Sequence, residues 1–219
     1  MRIFSFIKKL FLDFLFPKSP RVIELEALSS AELLELLPRN FTEPAENVVA
    51  LFDYSHSVVK EIIWEVKYNG NRVLADRLGE ILYDTVISEL NEANIFEKFR
   101  TVVLMPMPIS DKRRFERGWN QVELLATAIK RRDNAQQIKY LPRQLAKLRH
   151  TESQTRTANK SERKGNLKDS MKILNPESIS GRCVVLIDDV VTTGSTFAEA
   201  KRTLREANAK KILCFSVAH

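Results

Sequence analysis

Long apolar runs are missing from this sequence. No stretch of 18 or more apolar residues occurs in its 219 residues, so no membrane-spanning helix is predicted. Cysteine is scarce. Cys183 and Cys214 are the only two, and both sit in apolar strand-like runs. Buried free thiols in a reducing, cytoplasmic compartment are expected rather than a disulfide or a metal ligand pair. Six glycines and eight prolines are too few for a low-complexity chain. Histidine gives no clear general base: His56, His150 and His219 are scattered along the sequence.

Hydrophobic residues make up 44% of the chain, an ordinary share for a globular protein. The length leaves room for one α/β domain and an appendage. The net charge of +7 is unevenly placed: residues 110–172 hold 17 Lys/Arg against 7 Asp/Glu, a local +10 against −3 for the rest. Such a segment attracts polyanions, from pyrophosphate to nucleic acid.

The chain is organised around Val184-Val185-Leu186-Ile187-Asp188-Asp189-Val190-Val191-Thr192-Thr193-Gly194-Ser195-Thr196. Cys183 to Ile187 is unbroken, apolar and β-branched, which predicts a strand buried on both faces. Two carboxylates end it, and a hydroxyl loop with one glycine follows. Phe197 to Ala207 reads as an amphipathic helix, with Thr196 and Glu199 at capping-box spacing. A helix N-terminus behind such a loop is an anion site, because its free N–H groups and dipole favour negative charge. Gly194 permits close backbone approach. Thr192, Thr193, Ser195 and Thr196 add O–H donors. Asp188 and Asp189 suit a sugar diol, since ionised carboxylates accept from hydroxyls. Phosphate at one end and diol at the other describe a ribose 5-phosphate. A Walker A loop is excluded because no Gly-Lys-Ser/Thr follows; the dinucleotide fingerprint is excluded because two of its three glycines are missing.

Earlier parts of the chain fit an α/β pattern. Residues 1–16 have helical apolar spacing. Three readings stand: packing on the domain or on a second copy in a homodimer, peripheral contact with a membrane surface, and, ranked last, a signal peptide, whose apolar core Lys8 and Lys9 interrupt and which no small-residue cleavage site follows. A second helix is predicted over 21–37, with Ser29 or Ser30 capping its later part, then a linker over 38–47. A strand over 48–54 leads to a helix capped by Ser55 or Ser57 that runs to Tyr68, and a long helix spans 73–90. A strand over 101–105 ends in Met105-Pro106-Met107-Pro108. Two prolines fix the backbone there, at the carboxyl end of a strand, where open α/β sheets bind ligands. Lys112, Arg113, Arg114 and Arg117 follow, before a helix over 120–132. A short strand over 136–141 and a possible helix turn at 143–149 come next. Residues 143–168 are polar, basic and aperiodic, which suggests a loop covering the site; His150 borders it. Strands are predicted over 171–174 and 211–217, with Asn208 as a left-handed cap before the last.

The central thirteen residues resemble the PRPP-binding motif of type I phosphoribosyltransferases. Further pieces resemble the ComF family: Val66-Lys67-Tyr68-Asn69-Gly70, Met105 to Pro108, Arg113 with Arg117-Gly118-Trp119-Asn120-Gln121, and Thr151 to Gln154 with Arg163 and Asn166. The resemblance spans 48–219. It implies a type I phosphoribosyltransferase fold over 48–219, a mainly parallel sheet flanked by helices; the segment over 1–47, read as helical from its own spacing, precedes it and departs from the family pattern. By resemblance, Thr192 to Thr196 hold the 5-phosphate and Asp188 and Asp189 face the ribose hydroxyls. Pro106, Met107 and Pro108 take pyrophosphate with Arg113, Arg114 or Arg117 nearby. Mg²⁺ is expected to arrive on the ligand and keep its waters, so no dedicated metal ligands are assigned. Two functions follow: a phosphoribosyltransferase acting on a nitrogen acceptor, and a competence protein binding single-stranded DNA and a helicase-like ATPase. Many family members begin with a zinc module of Cys-x-x-Cys pairs; residues 1–47 here contain no cysteine.

Overall fold

The computed structural model describes residues 18–148 and 169–219. The expected helix over 1–16 and most of the expected loop, 149–168 with His150, lie outside the described residues.

The core is a parallel sheet of five strands, ordered β1-β7-β6-β2-β3. They are β1 (Val48–Phe52), β2 (Val102–Pro106), β3 (Ile138–Tyr140), β6 (Cys183–Val190) and β7 (Lys211–Ala218). Side chains alternate along a strand, and β6 uses both faces. Cys183, Val185 and Ile187 enter one apolar cluster; Val184 and Leu186 enter another. This is the doubly buried strand predicted from its apolar run.

On the first face lie α3 (Ser57–Trp64), α4 (Arg72–Glu92) and α7 (Gln121–Arg132), which contribute Ile62, Leu74, Leu82 and Ile129 to that cluster. On the second face lies α8 (Ser195–Glu206), with Phe197 and Leu204. An antiparallel hairpin of β4 (Leu145–Lys147) and β5 (Met171–Ile173) adds Leu145 and Met171 to the second cluster. The helix turn expected at 143–149 is therefore a strand over 145–147, because Leu145 has a sheet partner and an apolar floor that local spacing does not reveal.

The helix expected over 21–37 is two helices, α1 (Pro20–Ala27) and α2 (Ser30–Leu36). Ser29 breaks them with a full capping box: the Glu32 carboxylate accepts from its N–H at 2.7 Å, and this satisfies donors that a continuous helix would not leave free. Leu25, Leu33 and Leu37 join the first cluster. The segment expected as a linker runs beside β1, where Asn40 N–H donates to the Leu51 carbonyl at 2.9 Å.

The helix expected to reach Tyr68 is regular only to Trp64. It widens into a π turn over Glu65–Asn69 and stops at Gly70, which is left-handed at φ 61°. Its N-cap is His56, without a side-chain bond, rather than Ser55 or Ser57. A short α5 (Ile95–Lys98) precedes β2, and α6 (Asp111–Arg117), absent from the sequence reading, follows it. Ser110 caps α6, left-handed Gly118 ends it, and none of its residues is buried. With no apolar face it has no helical periodicity to detect. Asn208 is left-handed as expected, at φ 62°.

Candidate functional site

Strands β2 and β6 pair in parallel with Pro106 opposite Ile187, so their carboxyl ends open side by side. Parallel pairing fixes this. Every loop leaving a parallel strand emerges at one edge of the sheet.

Asp188 and Asp189 are consecutive on β6 and therefore leave it toward opposite faces. Asp189 goes to the α7 side and is buried. Its Oδ2 accepts from Gln121 Nε2 at 3.0 Å and stands 3.8 Å from Lys67 Nζ, while its Oδ1 accepts from Val190 N–H at 2.9 Å. Asp188 is half-buried, and its Oδ1 accepts from Asp189 N–H at 2.9 Å. Loss of water, then the adjacent charge of Asp189, pushes its carboxyl well above the ordinary range; both effects disfavour its anion. Lys147, on the hairpin, is pushed down by burial and by the charge of Arg113, while Asp188 pulls it back up.

Beyond Asp188 the chain turns through Thr192 and Thr193, both exposed, into buried Gly194. Gly194 is left-handed at φ 69° and is the N-cap of α8. The capping box expected between Thr196 and Glu199 does not form. Glu199 instead accepts from Ser170 N–H at 3.1 Å and from Arg202 at 2.9 Å, so tertiary partners take the carboxylate. Ser195 N–H donates to Thr193 Oγ1 at 3.4 Å, and Gly194, as N-cap, offers no side chain to the donors of the turn that follows. Thr193 Oγ1 donates to Ser195 Oγ at 2.9 Å. A cleft of about 30 Å³ lies between Asp188, Thr192, Gly194, Ser195 and Thr196. The acidic strand end and the hydroxyl loop thus share one opening.

The proline loop is arranged differently from its sequence. Pro106 and Met107 are buried and Pro108 is half-buried. Met107 N–H donates to the Ile187 carbonyl at 2.8 Å, extending the sheet, and its carbonyl accepts from Asn120 Nδ2 at 3.3 Å. The prolines have no N–H, so these three residues shape the opening and present no free amide donor. Of the three arginines, Arg114 is bound by Glu123 at 2.5 Å and Arg117 donates to Gln121 at 3.0 Å while lying 4.9 Å over the Tyr68 ring. Arg113 is exposed.

A match to the phosphoribosyl transferase domain covers residues 130–219, from the end of α7 through the acidic strand and the loop. The chain is 28% identical over 169 residues to the DNA utilization protein YhgH of Escherichia coli, 77% of this chain and 70% of that one. It is 31% identical over 173 residues to competence protein ComFC of Streptococcus pneumoniae, 77% of this chain and 66% of that one.

The chain belongs to the ComF family.

A third relative, competence protein F of Haemophilus influenzae, is 31% identical over 116 residues, 52% of this chain and 49% of that protein; the match therefore spans about half the length of that relative. A hypoxanthine phosphoribosyl transferase structure from Trypanosoma cruzi aligns over 72% of this chain and 64% of its own at 14% identity, with a TM-score of 0.39, too distant to carry site residues across. The ComF assignment and the observed sheet agree on a type I phosphoribosyltransferase fold. Lys67, Gln121 and Trp119 enter the sequence reading only through family resemblance. The structure gives them contacts: Trp119 Nε1 donates to the Val66 carbonyl at 3.3 Å, bracing the π turn that carries Lys67. Lys147 is the residue sequence reasoning missed. Its strand is three residues long, with too little alternation to flag the lysine beside Asp188. Among the described residues no group of three or more His, Cys, Asp or Glu is arranged to hold a metal, and no helix is long and apolar enough to cross a membrane.

Proposed function

We propose that this ComF protein binds PRPP with Mg²⁺ and transfers its phosphoribosyl group to a nitrogen acceptor in the cytoplasm. The observation that carries the reading is the single cleft shared by Asp188 and the Thr192–Thr196 loop. The α8 amides and the hydroxyls of Thr192, Thr193, Ser195 and Thr196 take the 5-phosphate. Asp188 and Asp189 accept from the ribose hydroxyls. Lys147, whose charge acts on Asp188, and Arg113, whose charge acts on Lys147, neutralise pyrophosphate as it leaves C1 and the acceptor nitrogen bonds there. Two carboxylates without a further cluster suit a Mg²⁺ that arrives on the diphosphate and keeps its waters. When bound, the ion supplies charge neutralisation at the leaving group. Calorimetric titration of Mg²⁺–PRPP into the wild type and into Asp188→Asn/Asp189→Asn tests this. Binding that the double variant loses supports the site; absence of binding in the wild type removes the reading.

A second reading, handling of single-stranded DNA with a helicase-like ATPase, is favoured by α6. That helix buries nothing and holds Phe115, 92% exposed, among Lys112, Arg113 and Arg117. Exposed rings for base stacking among cations for the backbone are the ingredients of a single-strand track. Relatives are named for competence and DNA utilization. Many-phosphate binding weakens steeply with salt, whereas a single PRPP site does so far less. Oligonucleotide binding to wild type and Phe115→Ala across a salt series separates the two.

A further inference from the structure

Behind the loop stands a lysine with no assigned role. Lys201 is on α8, two turns from Ser195, and only 9% exposed. A buried ammonium must find strong acceptors. Its Nζ donates to the main-chain carbonyls of Glu46 and Asn47, the latter at 3.4 Å. Those carbonyls belong to the turn before β1. Asn47 is left-handed there at φ 56°, and its N–H donates to Glu43 Oε1 at 2.8 Å. Val48 N–H closes the turn on the Ala45 carbonyl at 3.1 Å.

The same turn touches the loop. A Cβ built on Gly194 would stand 2.6 Å from Ala45 Cβ, so the Ala45 methyl already fills the space behind Gly194. One end of the turn is thus held by α8, and the other presses on the residue that starts α8.

We propose that Lys201 is a positioning residue: it clamps the 45–47 turn to α8 so that Ala45 holds Gly194, and with it the amides of 194–197, in the anion-binding conformation. A charge-assisted bond to carbonyls is directional, and the turn has no other polar tie to α8 among the contacts described. The clamp acts on the 5-phosphate end alone, since the Pro106 loop and Arg113 lie across β6. For its ligand the proposal rests on the phosphoribosyl reading; the clamp itself does not.

Hydrogen exchange on the free protein tests the clamp directly. In Lys201→Met the amides of 198–201, the first hydrogen-bonded turn of α8, which opens on the Gly194 carbonyl, exchange at least tenfold faster than in the wild type, while those of β2 and β6 are unchanged. Lys201→Arg, which keeps the donors, restores protection. Ala45→Gly, which removes only the methyl, gives the same local loosening without a lost buried bond. Unchanged exchange at 198–201 in both Lys201→Met and Ala45→Gly overturns the proposal. So does faster exchange spread evenly over the sheet. Titration supplies the second arm: Lys201→Met binds ribose 5-phosphate about tenfold more weakly and pyrophosphate as the wild type does. Equal weakening of both ligands also overturns the proposal. A wild type that binds neither ligand, with local exchange still responding, removes the phosphoribosyl reading and leaves the clamp.

Discussion

Gln121 Nε2 donates to Asp189 Oδ2 at 3.0 Å, joining the first turn of α7 to the end of β6. The amide is itself fixed, because Arg117 donates to its Oε1 at 3.0 Å. A buried carboxyl group held by fixed donors keeps one orientation, which is what recognition of a diol needs.

Gln121→Leu removes that donor and leaves Asp189 short of a partner in a buried position. A loss of about 1–3 kcal/mol in stability is expected, together with weaker Mg²⁺–PRPP binding. Gln121→Glu, which adds a third negative charge, weakens binding further than Gln121→Leu. Urea unfolding and calorimetry on the same variants check both.

Asp188→Asn has the opposite effect on stability. Burial and Asp189 hold the Asp188 carboxyl above its ordinary range, so the folded state binds a proton that the unfolded state has released. Stability is therefore full below the unfolded Asp value and falls as pH rises toward the folded one. Asn removes the repulsion. A gain of about 1 kcal/mol would raise Tm by about 2–4 °C at neutral pH, and the gain shrinks at acidic pH. Ligand binding is lost at every pH. Thermal melts from acidic to neutral pH give the sign directly.

Gly194→Ala meets two penalties: the left-handed φ of 69°, and the 2.6 Å approach to Ala45. The backbone term alone costs about 1 kcal/mol. Combining it with Ala45→Gly relieves the clash and leaves the backbone term, so the double variant is more stable than Gly194→Ala alone. A double-mutant cycle in urea measures the difference.

Cys183 and Cys214 are buried and unpaired, and burial pushes both thiols up to about 12. The thiolate is the reactive form. Both are expected to resist alkylation at neutral pH in the folded protein and to react in denaturant. Mass spectrometry after iodoacetamide treatment counts them; one labelled thiol in the native protein contradicts the prediction.

The sequence carried the outline because β6 states its environment in every residue. An apolar run, two carboxylates and a hydroxyl loop leave few alternatives, and Gly194 and Asn208 announce their turns. What it could not carry was contact between distant parts. Glu199 has the right spacing for a cap, yet its carboxylate serves Ser170 and Arg202, which only the folded chain brings near. Lys147 and Lys201 are lysines in a lysine-rich sequence, and nothing local separates them from surface charge. Helix α6 lacked an apolar face, so its residues looked like a basic loop. The proline loop was expected to receive an anion, whereas Met107 uses its N–H to extend the sheet.

Strand order has a consequence for synthesis. β7 lies between β1 and β6, but it is made from residues 211–218, long after Val48–Phe52. On the ribosome, β1 has no permanent neighbour until those residues emerge, and the sheet waits in two parts. Pairings of such long sequence separation form slowly, and unpaired edges invite wrong partners meanwhile. Asn40, bonded across to Leu51, gives nascent β1 a nearby cover on one side during that interval.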